Sequence, residues 1–232
     1  VLGGYAVESE ELKNYDSGST VYLTPDARTL AVKSNGYEAG KGRVTIFRWD
    51  QSSKTWSQLG PYIEGIRQGD TVAAGVALSS IRDSNTSVAL SDDGNIVAIG
   101  DHGADADFPN DITGIDSGRV RIFQYVPASS TVRVSRWVQL GQTIFGESYR
   151  ALHNVNGDFD GDISGWSISL SADGKTVAIG APFNDVVTPF TGENPNRGHV
   201  RVYQYDEEDE QQIIRATETG QTLQEGTTIP ST

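Results

Sequence analysis

The residues best placed for chemistry lie in the run NVNGDFDGD, which starts at Asn154 and ends at Asp162. From Asn156 the spacing is N-x-D-x-D-G, oxygen-bearing side chains at alternate positions followed by a turning glycine. Calcium takes about six to eight oxygen ligands, and alternation in a tight loop aims side chains inward. Asn156, Asp158 and Asp160 fit the first, third and fifth ligand positions, Asp162 offers a backbone carbonyl, and Ser164 falls at the ninth. Ile168 stands where an EF-hand needs a bidentate Glu, so that motif is excluded. The competing reading is a metal-free, solvated Asp/Gly turn.

A looser acidic cluster, Asp101, Asp105, Asp107, Asn110 and Asp111, matches no firm ligand spacing, although a cation would relieve its repulsion. His102, His153 and His199 show no metal-ligand spacing. No G-x-S-x-G context supports a serine nucleophile, and Gly165-Trp166-Ser167 only resembles the start of one. Asn85-Thr86-Ser87 is a glycosylation sequon that matters in a secreted chain. The site expectations are therefore a calcium loop at Asn156, Asp158, Asp160 and Asp162, a glycan at Asn85, and no catalytic residue.

What must position these loops is a repeat. From Trp166 to Tyr205 the chain reads as an alternating strand (Ile168, Leu170), a turn at Asp173-Gly174, a second strand (Val177, Ile179), a loop, and a third strand ending in Tyr203 and Tyr205. SVALSDDGNIVAIGDHG from Ser87 and STVYLTPDARTLAVKSNG from Ser19 are copies, with Asp26, Asp93 and Asp173 in register. A fourth run, WSQLGPYIEG from Trp56 and WVQLGQTIFG from Trp137, becomes RATETGQTLQEG in the third copy, which has lost the Trp. The opening VLGGYAVES fits the same outer-strand pattern. The expected fold is all-β: β-propeller-type blades of four antiparallel strands, three blades plus one outer strand of a neighbouring blade. Ala27 replaces the turn glycine of the other copies, which predicts a different turn in the first unit. Trp56 and Trp137 are expected to open equivalent outer strands, wedged and largely buried between sheets.

The run Gly165-Trp166-Ser167-Ile168, then Asp173-Gly174, then Val177-Ala178-Ile179-Gly180-Ala181-Pro182 resembles the FG-GAP repeat of integrin-α-like propellers. The second unit departs from it with Gly100-Asp101-His102, and the first with Lys33-Ser34-Asn35. The family's calcium loop between the first two strands is shortened here to a plain turn, so that metal site does not carry over. The resemblance implies an extracellular propeller that works by binding.

Along the chain the expected units are residues 1–18 (outer strand and link), 19–65 (blade), 66–85 (insertion), 86–147 (blade), 148–165 (connector with the calcium loop), 166–226 (blade) and 227–232 (tail). With no Cys there is no disulfide framework. With no Met, Val1 is not an initiator, and a processed or cut chain is expected. The net charge of −13 disfavours nucleic acid and anionic lipid. No apolar run approaches the roughly eighteen residues of a membrane span. The leading expectation is a non-enzymatic extracellular or cell-surface adhesion, recognition or assembly module with a protein or glycan partner, continuing into or associating with further blades. The alternatives are an architectural subunit of a large complex and a polysaccharide-acting enzyme on a propeller scaffold.

Overall fold

The structure, a computed structural model, describes residues 16–38, 41–66, 88–104, 106–108, 112–114, 117–147, 161–184, 186–188, 192–194, 198–206 and 217–218. The outer-strand reading at residues 1–9, the insertion, the sequon at Asn85 and the tail lie outside them. So do Asn156, Asp158 and Asp160.

The described residues are all-β, in three antiparallel blades of the propeller type. Blade one contains β1 (Ser17–Leu23), β2 (Thr29–Ser34), β3 (Arg43–Asp50), β4 (Thr55–Gln58) and β5 (Ile63–Glu64). Blade two contains β6 (Val88–Leu90), β7 (Ile96–Asp101), β8 (Ala106–Phe108), β9 (Ile112–Gly114), β10 (Arg119–Val126), β11 (Arg136–Gln139) and β12 (Ile144–Phe145). Blade three contains β13 (Ser167–Leu170), β14 (Thr176–Ala181), β15 (Val186–Thr188), β16 (Gly192–Asn194), β17 (His199–Gln204) and β18 (Thr217–Glu218).

The main sheet of each blade is an antiparallel meander, β1-β2-β3-β4, β6-β7-β10-β11 and β13-β14-β17-β18, with registers such as Val21↔Val32 and Val32↔Thr45 in blade one. Two details differ from the expectation. The fourth run divides into two short strands on the same third strand, β4 and β5 on β3, and β11 and β12 on β10. Its central Leu-Gly pair bends the chain between them. The segments expected as loops between second and third strands carry hairpins of their own, β8–β9 and β15–β16.

The turn between first and second strands explains why Asp recurs. Ser91 and Ser171 each donate a hydroxyl proton to the Asp two residues on at 2.6 Å, and Thr24 does so at 2.7 Å. The same carboxylates accept the backbone N–H of Asn95, Lys175 and Arg28. The turn expected to differ in blade one does not. Ala27 has φ of +57°, beside +66° at Gly94 and +74° at Gly174, and all three donate the same backbone bond, Ala27 to the Thr24 carbonyl at 2.8 Å. The reason lies outside the turn. A Cβ at Gly94 would sit 2.4 Å from Thr29 Oγ1, and one at Gly174 2.5 Å from Ile96 Cδ1, because each turn seats on the second strand of the preceding blade. Ala27 is exposed, so its methyl meets no such strand.

The blades stack through two apolar clusters. Ala31, Val44, Ile46 and Ile63 of blade one meet Val88, Leu90, Val97, Ile99 and Phe123 of blade two. Ala89, Ala98, Val120 and Ile144 meet Ile168, Val177, Ile179 and Tyr203 of blade three. Trp56 and Trp137 occupy equivalent places, opposite Trp49 and Tyr125 at ring separations of 5.5 and 5.3 Å. Both are half-buried rather than largely buried, because each covers the rim of its sheet and not its centre. Trp137 also wedges as expected: its Nε1 donates to the Leu59 carbonyl of blade one at 3.1 Å. Between blades two and three, Leu140, Gly141 and Tyr205 stand where Leu59, Gly60 and Tyr125 receive that indole. A cavity of about 30 Å³ lies against them.

Two substitutions test the turn. Replacing Ala27 by Gly is expected to stabilise the fold by about 0.5–1 kcal/mol, the relief of a left-handed alanine less the entropy gained by the unfolded chain. Gly94→Ala is expected to destabilise by more than that, since its methyl collides with Thr29. Chemical denaturation midpoints at constant m-value measure both.

Candidate functional site at the loop end of the blades

In an antiparallel meander, the connection from second to third strand and the connection to the next blade leave from the same end. That end carries residues 101–118 with β8–β9, residues 181–198 with β15–β16, and the connectors before β6 and β13. It is where the chain places most of its chemically capable residues.

Asp101 ends β7 and pairs with Arg119 on β10. It is 4% exposed, 3.3 Å from Arg119 Nε and 3.1 Å from the Arg121 guanidinium. Lys33 comes in from blade one and donates to the Gly100 carbonyl at 3.0 Å. Burial alone would push the Asp101 carboxyl up. Arg121, then Lys33 and Arg119, outweigh it and hold the carboxyl below its usual range. Burial is also the largest effect on Lys33 and lowers its pKa. Asp101, first of the looser acidic cluster, is thus the counter-ion of buried cations that hold blades one and two together. Asp105, Asn110 and Asp111 lie outside the described residues, and β8 places Asp107 on a hairpin strand.

Arg121 and Arg201 occupy the same place in their third strands and do the same work. Arg121 donates to the Glu64 carbonyl of the preceding blade at 3.0 Å, and Arg201 to the Phe145 carbonyl at 2.7 Å. Arg201 also reaches Ser164 Oγ at 3.0 Å and Glu147 Oε1 at 3.4 Å. Glu147 stands 3.9 Å from His199 Nδ1, which places that histidine in the same polar seam. Blade one has Thr45 at this position, and the role of the two arginines as an inter-blade clamp depends on the neighbouring blade.

Of the calcium-loop ligand positions, the structure describes Asp162 and the ninth-position Ser164, whose buried hydroxyl accepts from the Arg201 guanidinium at 3.0 Å. Asp162 lies two residues before it, is fully buried, and accepts the Glu147 N–H on Oδ2 at 2.7 Å. Its carboxylate is therefore turned to the seam with blade two. Among the described residues no group of three or more His, Cys, Asp or Glu is arranged to hold a metal. Beside the seam, His102, Trp166 and Phe183 form a half-buried aromatic row, with ring separations of 5.2 and 6.5 Å. Trp166 follows Gly165 at the start of blade three.

These features define a protein of stacked propeller-type β-blades whose polar groups at the loop end serve the joints between them. No family model and no curated protein matches the chain. Among solved structures, a similar one is prolyl oligopeptidase B from Galerina marginata bound to a 35mer hydrolysis and macrocyclization substrate. The identity is 12% and the TM-score 0.40, over 88% of this chain and 23% of that one. The chain thus spans less than a quarter of that protein's length.

The buried ion group makes a pH prediction. Asp101 has a lowered folded pKa, so its contribution is complete above the unfolded carboxylate value near ~3.9 and is lost as pH falls through the lower folded value. Asp101→Asn removes the charge and leaves cations buried against it, which is expected to cost about 3–5 kcal/mol at neutral pH. Stability curves at pH 7 and below pH 4 read the difference: the substitution's cost shrinks as Asp101 becomes protonated.

Proposed function

We propose that this chain is a non-enzymatic extracellular binding, adhesion or assembly module built on FG-GAP-like propeller repeats, with the loop end as its recognition face. The observation that carries this is the contrast between the two ends. At one, the first and second strands join through the same short turn in every blade, Thr24 to Arg28 and its counterparts. At the other, long connections of differing sequence leave each blade, and their charged residues are mostly acidic. A scaffold held constant while loops vary on one side is how rigid folds present binding surfaces. Asp101, Arg119, Arg121 and Arg201, the residue types that serve elsewhere as acids, bases or charge stabilisers, are buried in the joints. This supports binding over catalysis.

The partner is a protein or glycan that tolerates, or uses, an acidic face. Calcium bound by Asn156, Asp158, Asp160 and the Asp162 carbonyl would lower that negative charge. An extracellular location would supply calcium at the level that loops of this kind use, and it would allow a glycan at Asn85. Glycan and protein arrays, run with calcium and with chelator beside peptidase and polysaccharide-hydrolase assays, test the reading. Saturable, calcium-sensitive binding without turnover is expected, and catalytic turnover would overturn it.

The metal has its own test. An affinity of roughly 10⁻⁴–10⁻³ M is expected, and calcium at 100 times that dissociation constant adds about 2.7 kcal/mol to stability. Chelation should lower the melting temperature of the native chain and leave Asp158→Ala/Asp160→Ala unaffected. Equal stabilisation by magnesium, unchanged in the double variant, would leave only charge screening.

A further inference from the structure

Trp137 shows how the rim of a joint receives an indole. It stands on β11 opposite Tyr125, with ring centres 5.3 Å apart, and its Nε1 donates to the Leu59 carbonyl of blade one at 3.1 Å. Room for the ring depends on Gly60, where a Cβ would lie 3.1 Å from both Trp137 Nε1 and Tyr125 Cε2. The indole is half-buried in this place.

The joint between blades two and three repeats the receiving parts. The Leu140 N–H donates to the Ile122 carbonyl at 2.8 Å, as that of Leu59 does to Ile46 at 2.8 Å, so the two Leu-Gly bends are built alike. Gly141 follows with φ of +82°, beside +69° at Gly60. The Tyr205 N–H donates to the Lys175 carbonyl at 2.7 Å, as that of Tyr125 does to Asn95 at 2.8 Å, which sets the two tyrosines at the same height on their strands. The open cavity of about 30 Å³ lies among Ile122, Leu140, Gly141, Val177, Tyr203 and Tyr205. The four tryptophans are Trp49, Trp56, Trp137 and Trp166, and none belongs to the outer strand of blade three. Among the described residues that strand is β18 alone, opposite Arg201 and Val202, and nothing there takes the place of Trp137.

We propose that this cavity binds the indole of a tryptophan side chain presented by a partner polypeptide. The ring lies against Tyr205, over Gly141, and donates its N–H to the Leu140 carbonyl, the arrangement that Trp137 makes one joint earlier. Phenylalanine lacks that donor, and tyrosine carries one at the tip of its ring rather than at its side. The cavity is open, so the ring enters by an edge and stays half outside, as Trp137 does. Gly174 and Lys175 also line it, which puts it on the side of the short turns. It is therefore separate from the loop end, and the proposal does not depend on what the loop end binds.

Amide NMR spectra of the isotope-labelled chain, titrated with N-acetyl-tryptophanamide and with 3-methylindole, test the proposal. Shifts centred on Leu140, Gly141, Val177 and Tyr205 are expected, with a dissociation constant of roughly 1 mM, in keeping with the modest efficiency of a small open pocket. The N-acetyl-tryptophanamide methylated on its indole nitrogen should bind about fivefold more weakly, the loss of one hydrogen bond, a comparison made on the unaltered chain. Tyr205→Leu should weaken binding by about the same factor, and Tyr205→Phe should retain it, each with the native far-UV spectrum and a cooperative melt. No shift at those amides overturns the proposal, whether the cavity stays empty or Ile213 or Ile214, outside the described residues, fills it. Binding of 3-methylindole with the tryptophan amide excluded also overturns it, since the place then admits only a free ring. So does equal binding of the methylated amide, or a Tyr205→Leu variant that binds as the native chain does.

Discussion

A small antiparallel sheet has two faces, and when both carry apolar residues it cannot cover either by itself. Everything distinctive in this chain answers that constraint. Apolar side chains alternate on both faces of the strands, so the core is a pair of seams between blades rather than one interior. The seams are closed at the loop end by buried polar groups, in particular Arg121 and Arg201 on the carbonyls of the preceding blade. A guanidinium suits this place because it fans several donors across a joint from a fixed plane. At the opposite end the turn glycines are pressed onto the strand behind them. Each joint is thus fixed at both ends, with apolar side chains between.

Burying cations to fasten a joint is costly unless each finds acceptors. Asp101 supplies charge and the strand carbonyls supply dipoles, so Lys33, Arg119 and Arg121 are held by one carboxylate and a set of backbone oxygens. The second joint solves the same problem differently. Ala181 replaces Asp101 in the repeat, and Glu147 and Ser164 receive Arg201 instead. Gly180-Ala181-Pro182 at one joint and Gly100-Asp101-His102 at the other accompany two different ways of satisfying the same arginine.

Much of the fold was legible because its determinants are local. Alternation of Val177 and Ile179, the Asp173-Gly174 turn and the aromatic strand ends announce a blade from a few residues. Features depending on a neighbour were not legible. Ala27 looked like a different turn because the glycine at that position answers to the adjacent blade, not to the turn itself. The hairpins β8–β9 and β15–β16 escaped notice because three-residue strands among Pro, Gly and Asn carry too little periodicity to register. At the loop end, Asp101 looked like a candidate ligand, since spacing cannot show that Arg119 and Arg121 face it. The calcium spacing at Asn156 is local and therefore visible. What Asp162 does with its carboxylate depended on Glu147, fifteen residues earlier.

The third unit's missing outer tryptophan has a consequence for how the chain comes apart. In a linear array, each element is held only by its immediate neighbours, and cooperative opening begins at the weakest joint. The first joint is pinned at its rim by an indole hydrogen-bonded across the seam. The second, among the described residues, has an open pocket lined by Leu140, Gly141 and Tyr205 in the same place. Its rim should therefore admit solvent at a lower free-energy cost, and amide protons along β17 should exchange before those along β10. The order of disassembly is written into one substitution on the outermost strand, far from every group that holds the blades by charge.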